Sequence, residues 1–240
     1  MNKESESARR LVHEAYEKLS LKIEGEGYRF NIGYVLNKAM VDWRLMHGLD
    51  LKNMEVLNVG CSEPIDEIFF ASHVKAWTAV DFSPSSIAAA RNVLEKELNP
   101  QLYKKISLAV ADATQLPFSD ETFDLVVSFS TLEHIPLAAD RLQAFSEAAR
   151  VAKKFVIITM PNKHSIFYFT HRQLMKNGKS DYGYAYLYTM SELKSDLIKS
   201  GLQPLRFTSE YEIPNLPLSL VRLFRPIRRF GTRIGFLCKK

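Results

Sequence analysis

Two cysteines in 240 residues, Cys61 and Cys238, are too few and too far apart to staple an oxidised scaffold. They read as reduced thiols, as in a cytoplasmic protein. No apolar run approaches the roughly 20 residues that cross a bilayer. The longest, around Phe155–Met160 and Leu216–Leu220, are far shorter. The opening MNKESES is polar and charged, so it reads as a frayed terminus and not as a secretory signal. Glycine is sparse, at ten residues, and the Gly-x-Gly-x-x-Gly of a dinucleotide fold is missing. No repeat of solenoid or propeller period is present.

What is there is an ordinary globular balance, 46% apolar and 25% charged, able to bury a sizeable core. The length suits one large α/β domain with a small insertion or lid. A net charge of +5 permits an anionic partner without demanding one. The excess is concentrated: Arg222, Arg225, Arg228, Arg229, Arg233, Lys239 and Lys240 follow one another with no acid between them.

Along the chain, helices are expected over Glu4–Lys22 and Ile32–Met46. Short apolar strands then alternate with helices, the mark of a parallel sheet wrapped by crossovers. Strands are expected at Val56–Val59, Ala76–Val80, Ile106–Val110, Phe123–Phe129, Phe155–Thr159, Leu202–Tyr211 and Ile234–Cys238. Helices fall near Pro64–Ser72, over Pro84–Leu98 with Ser83 as N-cap, near Leu137–Ala149, and from a Thr189/Glu192 capping box to Lys199, where Gly201 stops it. This excludes all-α and all-β readings. The fold class is α/β, a Rossmann-like doubly wound sheet, mostly parallel with an antiparallel C-terminal strand and helices on both faces.

Chemistry gathers at strand ends. In VLNVGCSEP, Gly60 follows the first strand, where a missing Cβ lets the backbone turn tightly and approach a ligand. A plain tight turn is the alternative. Asp81 ends the second strand, 21 positions on, where a carboxylate accepts from ribose hydroxyls. Its alternative, a helix cap, is a role Ser83 already takes. Asp112 ends the third strand, and Ser128–His134 follow the fourth, all facing one carboxyl-edge crevice.

VLNVGCSEP, VDFSPSSIAAAR and ADATQLPFSDETFDLVVSFSTLEHI resemble motifs I to IV of the class I S-adenosylmethionine-dependent methyltransferases, in order and spacing over about Glu55–Met160. The group that includes the ubiquinone- and menaquinone-biosynthesis methyltransferases is similar to this chain in these motifs. The resemblance implies S-adenosyl-L-methionine as cofactor and S-adenosyl-L-homocysteine (SAH) as product. It implies that Asn58, Gly60, Cys61 and Ser62 approach the methionine part, and that Asp81 holds the ribose, with Phe82 beside the adenine. Asp112 and Ala113 would meet the adenine edge, Phe129 and Ser130 would close the pocket below, and Tyr28, Phe30 and Tyr34 would be loose candidates on a cap. Residues 1–50 would form that helical cap, 51–160 the cofactor-binding core, and 161–240 a substrate-side insertion with the C-terminal strands. The family's acid is replaced by Asn58, and its later glycines by Ser62 and Pro64. Asn58 adds no negative charge near a cationic sulfonium, and side chains at Ser62 and Pro64 would push the loop outward.

His134 is the candidate catalytic base, because histidine titrates near neutrality. Its alternative is a helix-entry residue bonded to backbone. Glu133 and His134 lack a third ligand, so no metal is expected. The insertion after the fifth strand, flanked by His164 and His171 and carrying Tyr182, Tyr184 and Tyr186, is either an acceptor-site wall or a surface hairpin. Residues 216–230 place Leu216, Leu220, Leu223, Phe224, Ile227 and Phe230 on one helical face and arginines on the other. That face either packs on the domain or lies on an anionic membrane. The expected activity is methyl transfer to a small-molecule or lipid-like acceptor. A nucleic-acid methyltransferase and a catalytically silent binding protein are the alternatives. No nucleic-acid partner is expected, since the basic stretch has no stacking platform.

Overall fold

A computed structural model describes residues 42–62, 64–165, 185–210 and 231–240. The helix read over Glu4–Lys22, the aromatic residues Tyr28, Phe30 and Tyr34, His171, Tyr182, Tyr184 and the basic helix at 216–230 lie outside these residues. Of the second N-terminal helix, residues 42–46 are described and are helical.

Among the described residues seven strands form one sheet: β1 Glu55–Val59, β2 Ala76–Asp81, β3 Ile106–Val110, β4 Phe123–Phe129, β5 Ala152–Pro161, β6 Gln203–Glu210 and β7 Arg233–Lys239. Their order is β3-β2-β1-β4-β5-β7-β6. The strands β1 to β5 pair in parallel, and β7 runs antiparallel between β5 and β6. The helices are α1 Ile65–Phe70, α2 Pro84–Glu97, α3 Pro100–Tyr103, α4 Ala138–Val151 and α5 Met190–Lys199. The expected α/β sheet is the one found.

Alternation along β1 divides the core in two. Leu57 and Val59 join Val126, Val156 and the α4 and α5 residues Phe145, Ala148, Leu193 and Leu197. Val56 joins Trp77, Leu125, Val127, Phe70 of α1 and Ile87 of α2 on the opposite face.

Local chemistry sets the helix ends. Ser83 Oγ accepts from Ser86 N, with Pro84 at the first helical position. Thr189 and Glu192 exchange both bonds of the capping box, and Gly201 ends α5 at φ +83°. The helix α3 was not expected from the sequence, although Asn99 caps it and Pro100 starts it. The strand β5 runs beyond 155–159, because β7 pairs with it from Phe155↔Lys239 to Pro161↔Arg233.

LPFSDETFD, the most distinctive stretch, is braced from α4. Arg150 donates to the Leu116 and Phe118 carbonyls, to Asp120 and to Glu147, and Glu147 accepts from Leu116 N. The Arg150 bond holds the Glu147 carboxyl below the ordinary glutamate range. Arg150→Met is expected to cost on the order of 2 kcal/mol in urea denaturation, since two carbonyls and a partly buried acid lose their donor together. A cost within ~0.5 kcal/mol, typical of an indifferent surface site, would show that the loop holds itself.

Candidate functional site

The carboxyl ends of β1, β2, β3 and β4 meet at one edge of the sheet. β1 stops at Val59, and Gly60 turns the chain at φ +89°. The Gly60 and Cys61 amides both donate to Val80 O, at 2.7 and 3.1 Å, folding the turn onto the end of β2. From the other side Thr131 Oγ1 donates to Gly60 O at 3.0 Å, and Ser128 Oγ donates to Val59 O at 2.9 Å. A Cβ built on Gly60 would lie 1.9 Å from Thr131 Cγ2, so only glycine fits.

Asp81, 4% exposed, sits where β2 ends. Its Oδ2 accepts from Ser62 N and its Oδ1 from Ser83 N, both at 3.0 Å. Ser83 caps α2 as expected, its Oγ accepting from Ser86 N, and Asp81 reaches only the amide of the cap residue itself, two positions on. The same bonds aim the carboxylate across the β1 turn. Phe82 beside it is half-buried.

The next pair is offset from expectation. β3 ends at Val110, and Asp112 lies two residues beyond it, exposed, with Oδ1 accepting from Thr114 N and Oγ1. Ala111 N donates to Asp81 O, which keeps this stretch and the half-buried Ala113 against the β2 end. Phe129 is buried at the end of β4, and Ser130 follows in the left-handed region at φ 54°, its amide donating to Thr159. The Cys61 side chain is buried in the core, leaving only its backbone to the crevice, and burial pushes its thiol well up.

Of the three positions where the resembled motif carries glycine, only Gly60 has a positive φ; Ser62 and Pro64 do not. The departures therefore fall where this backbone tolerates a side chain. Asn58 points to the face of α1, where its Nδ2 donates to Glu67 Oε1 at 2.8 Å. Glu67 is fully buried, and desolvation, together with Asp66 beside it, raises its carboxyl to about 7.

His134 closes a short 3-10 turn, Leu132–His134, with Nε2 4.0 Å from Glu133 Oε1. Among the described residues, no three His, Cys, Asp or Glu side chains group to hold a metal ion. No described helix is long and apolar enough to cross a membrane.

Two buried arginines were not foreseen. Arg233 of β7, 2% exposed, pairs with the fully buried Asp42 and reaches Ser130 Oγ at 3.5 Å. Arg141 of α4 donates to the Ile135 and Pro136 carbonyls and lies 4.0 Å over the Tyr186 ring. Each joins residues distant in sequence, and no local pattern marks them.

A family profile described as a methyltransferase domain matches residues 57–158. The demethylmenaquinone methyltransferase of Lysinibacillus sphaericus is 30% identical over 59% of this chain and 57% of its own. The phosphatidylethanolamine N-methyltransferase of Cereibacter sphaeroides is 36% identical over 41% of this chain and 45% of its own. The chain thus spans about half the length of these curated relatives. In fold it is similar to the magnesium protoporphyrin IX methyltransferase of Synechocystis PCC 6803, solved with bound SAH, at TM-score 0.69 and 15% identity over 97% of this chain and 99% of that one. Residues 57–158 thus match a methyltransferase domain, and the sheet has the fold of the class I S-adenosylmethionine-dependent methyltransferases.

Proposed function

We propose that the protein is an S-adenosylmethionine-dependent methyltransferase acting on a small-molecule or lipid-like acceptor. The observation that carries this is Asp81, a carboxylate aimed across the positive-φ turn at Gly60 by the Ser62 and Ser83 amides. A carboxylate so placed accepts from a ribose diol, and a turn without a Cβ admits the chain beyond it. The donor set therefore fits the cofactor. When bound, the cofactor supplies a methyl group on a sulfonium reactive enough for positioning to carry much of the catalysis.

The roles expected from the motif resemblance form part of this proposal. Gly60, Cys61 and Ser62 offer backbone to the methionine part, Asp81 holds the ribose, Phe82, Asp112 and Ala113 line the adenine, and Phe129 and Ser130 close the floor. His134 takes a proton when the acceptor atom must lose one. Residues 1–50 cap the cofactor, and 161–240 supply the substrate side. The small-molecule reading draws on relatives named for demethylmenaquinone and phosphatidylethanolamine methylation.

Calorimetric titration with S-adenosylmethionine, with SAH alongside, tests the proposal. Micromolar binding is expected. Asp81→Ala should weaken it about 10- to 100-fold, the worth of hydrogen bonds to a charged acceptor. No binding by the folded protein, even at high cofactor concentration, would favour the catalytically silent alternative.

A further inference from the structure

Beneath the Gly60 turn lies a buried polar cluster with an imbalance. Glu67 Oε1 accepts two bonds, from Asn58 Nδ2 at 2.8 Å and from Trp77 Nε1 at 2.9 Å. Its other oxygen, Oε2, is buried with no hydrogen-bond partner, and so is Asn58 Oδ1. Asn58 is 1% exposed and Glu67 0%. An ionised carboxylate in that position would leave one oxygen bare in the core, in a cluster that already holds a second bare acceptor, and a buried unsatisfied acceptor is costly.

One proton removes both faults. On Oε2 it makes Glu67 a neutral acid whose carbonyl oxygen already holds its two donors and whose hydroxyl needs one acceptor. Asn58 Oδ1 belongs to the same amide that donates to Oε1. A carboxylic acid and a carboxamide can meet through two antiparallel hydrogen bonds, N–H to C=O and O–H to O=C. The surroundings favour the neutral acid. Asp66 on the same helix adds negative charge, Asn58 and Trp77 face Glu67 from β1 and β2, and the Cys61 thiol lies close enough to feel Glu67, Asp66 and Asp81.

We propose that Glu67 is held as the neutral acid, closes a two-bond ring with the Asn58 carboxamide, and through it positions the turn at Gly60. Asn58 and Glu67 together then stand where the family carries one ionised acid. Glu67 is a positioning residue, because it acts on the turn through Asn58. The link to cofactor affinity rests on the function proposed above; the protonation and the positioning do not.

The first test uses cofactor-free protein. The infrared spectrum should show a protonated-carboxyl stretch at about pH 6 that fades above about pH 8 and is missing in Glu67→Gln. Hydrogen-exchange protection of the Gly60 and Cys61 amides should fall by up to about tenfold per pH unit as the pH rises from about 5 to about 7, where the closed turn holds the proton and the open one has lost it, and should level off above that. Glu67→Gln keeps both ring bonds with an amide in place of the acid, so its protection should match wild type at low pH and stay flat. Glu67→Ala should lose protection throughout. No such band in wild type, a band that survives in Glu67→Gln, or protection equally flat in wild type and Glu67→Gln would overturn the proposal.

Titration with S-adenosylmethionine then separates the two claims. Affinity should follow protection in wild type and be pH-independent in Glu67→Gln. If no variant binds the cofactor while the band and the protection behave as stated, the proposed function fails and the acid–amide pair stands.

Discussion

Gly60→Ala is expected to destabilise the protein by about 3 kcal/mol or more and to abolish cofactor binding in whatever remains folded. Two separate costs combine. At φ +89° an alanine sits in the left-handed region, which costs about 1–2 kcal/mol. Its Cβ would also stand 1.9 Å from Thr131 Cγ2, 2.5 Å from Oγ1 and 2.6 Å from Cβ. Thr131 cannot simply rotate away, because its hydroxyl donates to Gly60 O and anchors the turn to the end of β4. Urea denaturation of Gly60→Ala beside Gly60→Ala/Thr131→Gly divides the two. Measured against Thr131→Gly, which itself loses the hydroxyl bond to Gly60 O, the double variant should show only the left-handed cost of about 1–2 kcal/mol. A single variant as stable as wild type would mean that the turn is not built as described, and the site built on it would go too.

Arg233→Met should cost about 3–5 kcal/mol, because it leaves the Asp42 carboxylate buried without its cation. Both partners are almost fully buried, Arg233 at 2% exposed and Asp42 at 0%, so water cannot take the lost partner's place. The comparison that matters is Asp42→Leu/Arg233→Met. Removing both charges together should restore most of the stability, since a buried ion pair and an apolar pair of similar volume are often close in free energy. A double-mutant cycle in urea measures the coupling, and a coupling below ~0.5 kcal/mol would show the pair to be hydrated in solution. The pair also fixes where residues 42–46 sit, beside the β7 strand and within reach of Ser130.

The parts legible in the sequence are those whose cause is local. Alternation marked the strands. The Ser83 cap with Pro84, and the Thr189/Glu192 box, marked helix starts to the residue. Gly60 and Asp81 were legible because a parallel sheet must turn at its carboxyl edge and a bare acid there is conspicuous. The rest is carried by pairs that no window contains. Asp42 and Arg233 are 191 positions apart, and the bracing of the 116–121 loop comes from Arg150 on a later helix. Asn58 looked like a loss of charge. In the fold it has Glu67 beside it, brought there by the turn of α1 onto β1. Asp112 was read as ending β3 and lies two residues past Val110, the last ladder partner of β2, because the chain runs on beyond the last ladder pair before it turns.

The position of β7 has a consequence for how the chain acquires its structure as it is made. Among the described residues β6 pairs with β7 and with no other strand, yet β7 begins 23 positions after β6 ends. During synthesis β1 to β5 can assemble as they leave the ribosome, each beside a neighbour already present. β6 cannot, because the strand that belongs between it and β5 has not yet been translated. Leu205 and Phe207, exposed even in the finished sheet, emerge with their backbone groups unpaired until 233–239 arrive. The nascent chain therefore passes through an interval with an orphan strand on display, the state in which a chaperone or a second nascent copy has its best opportunity.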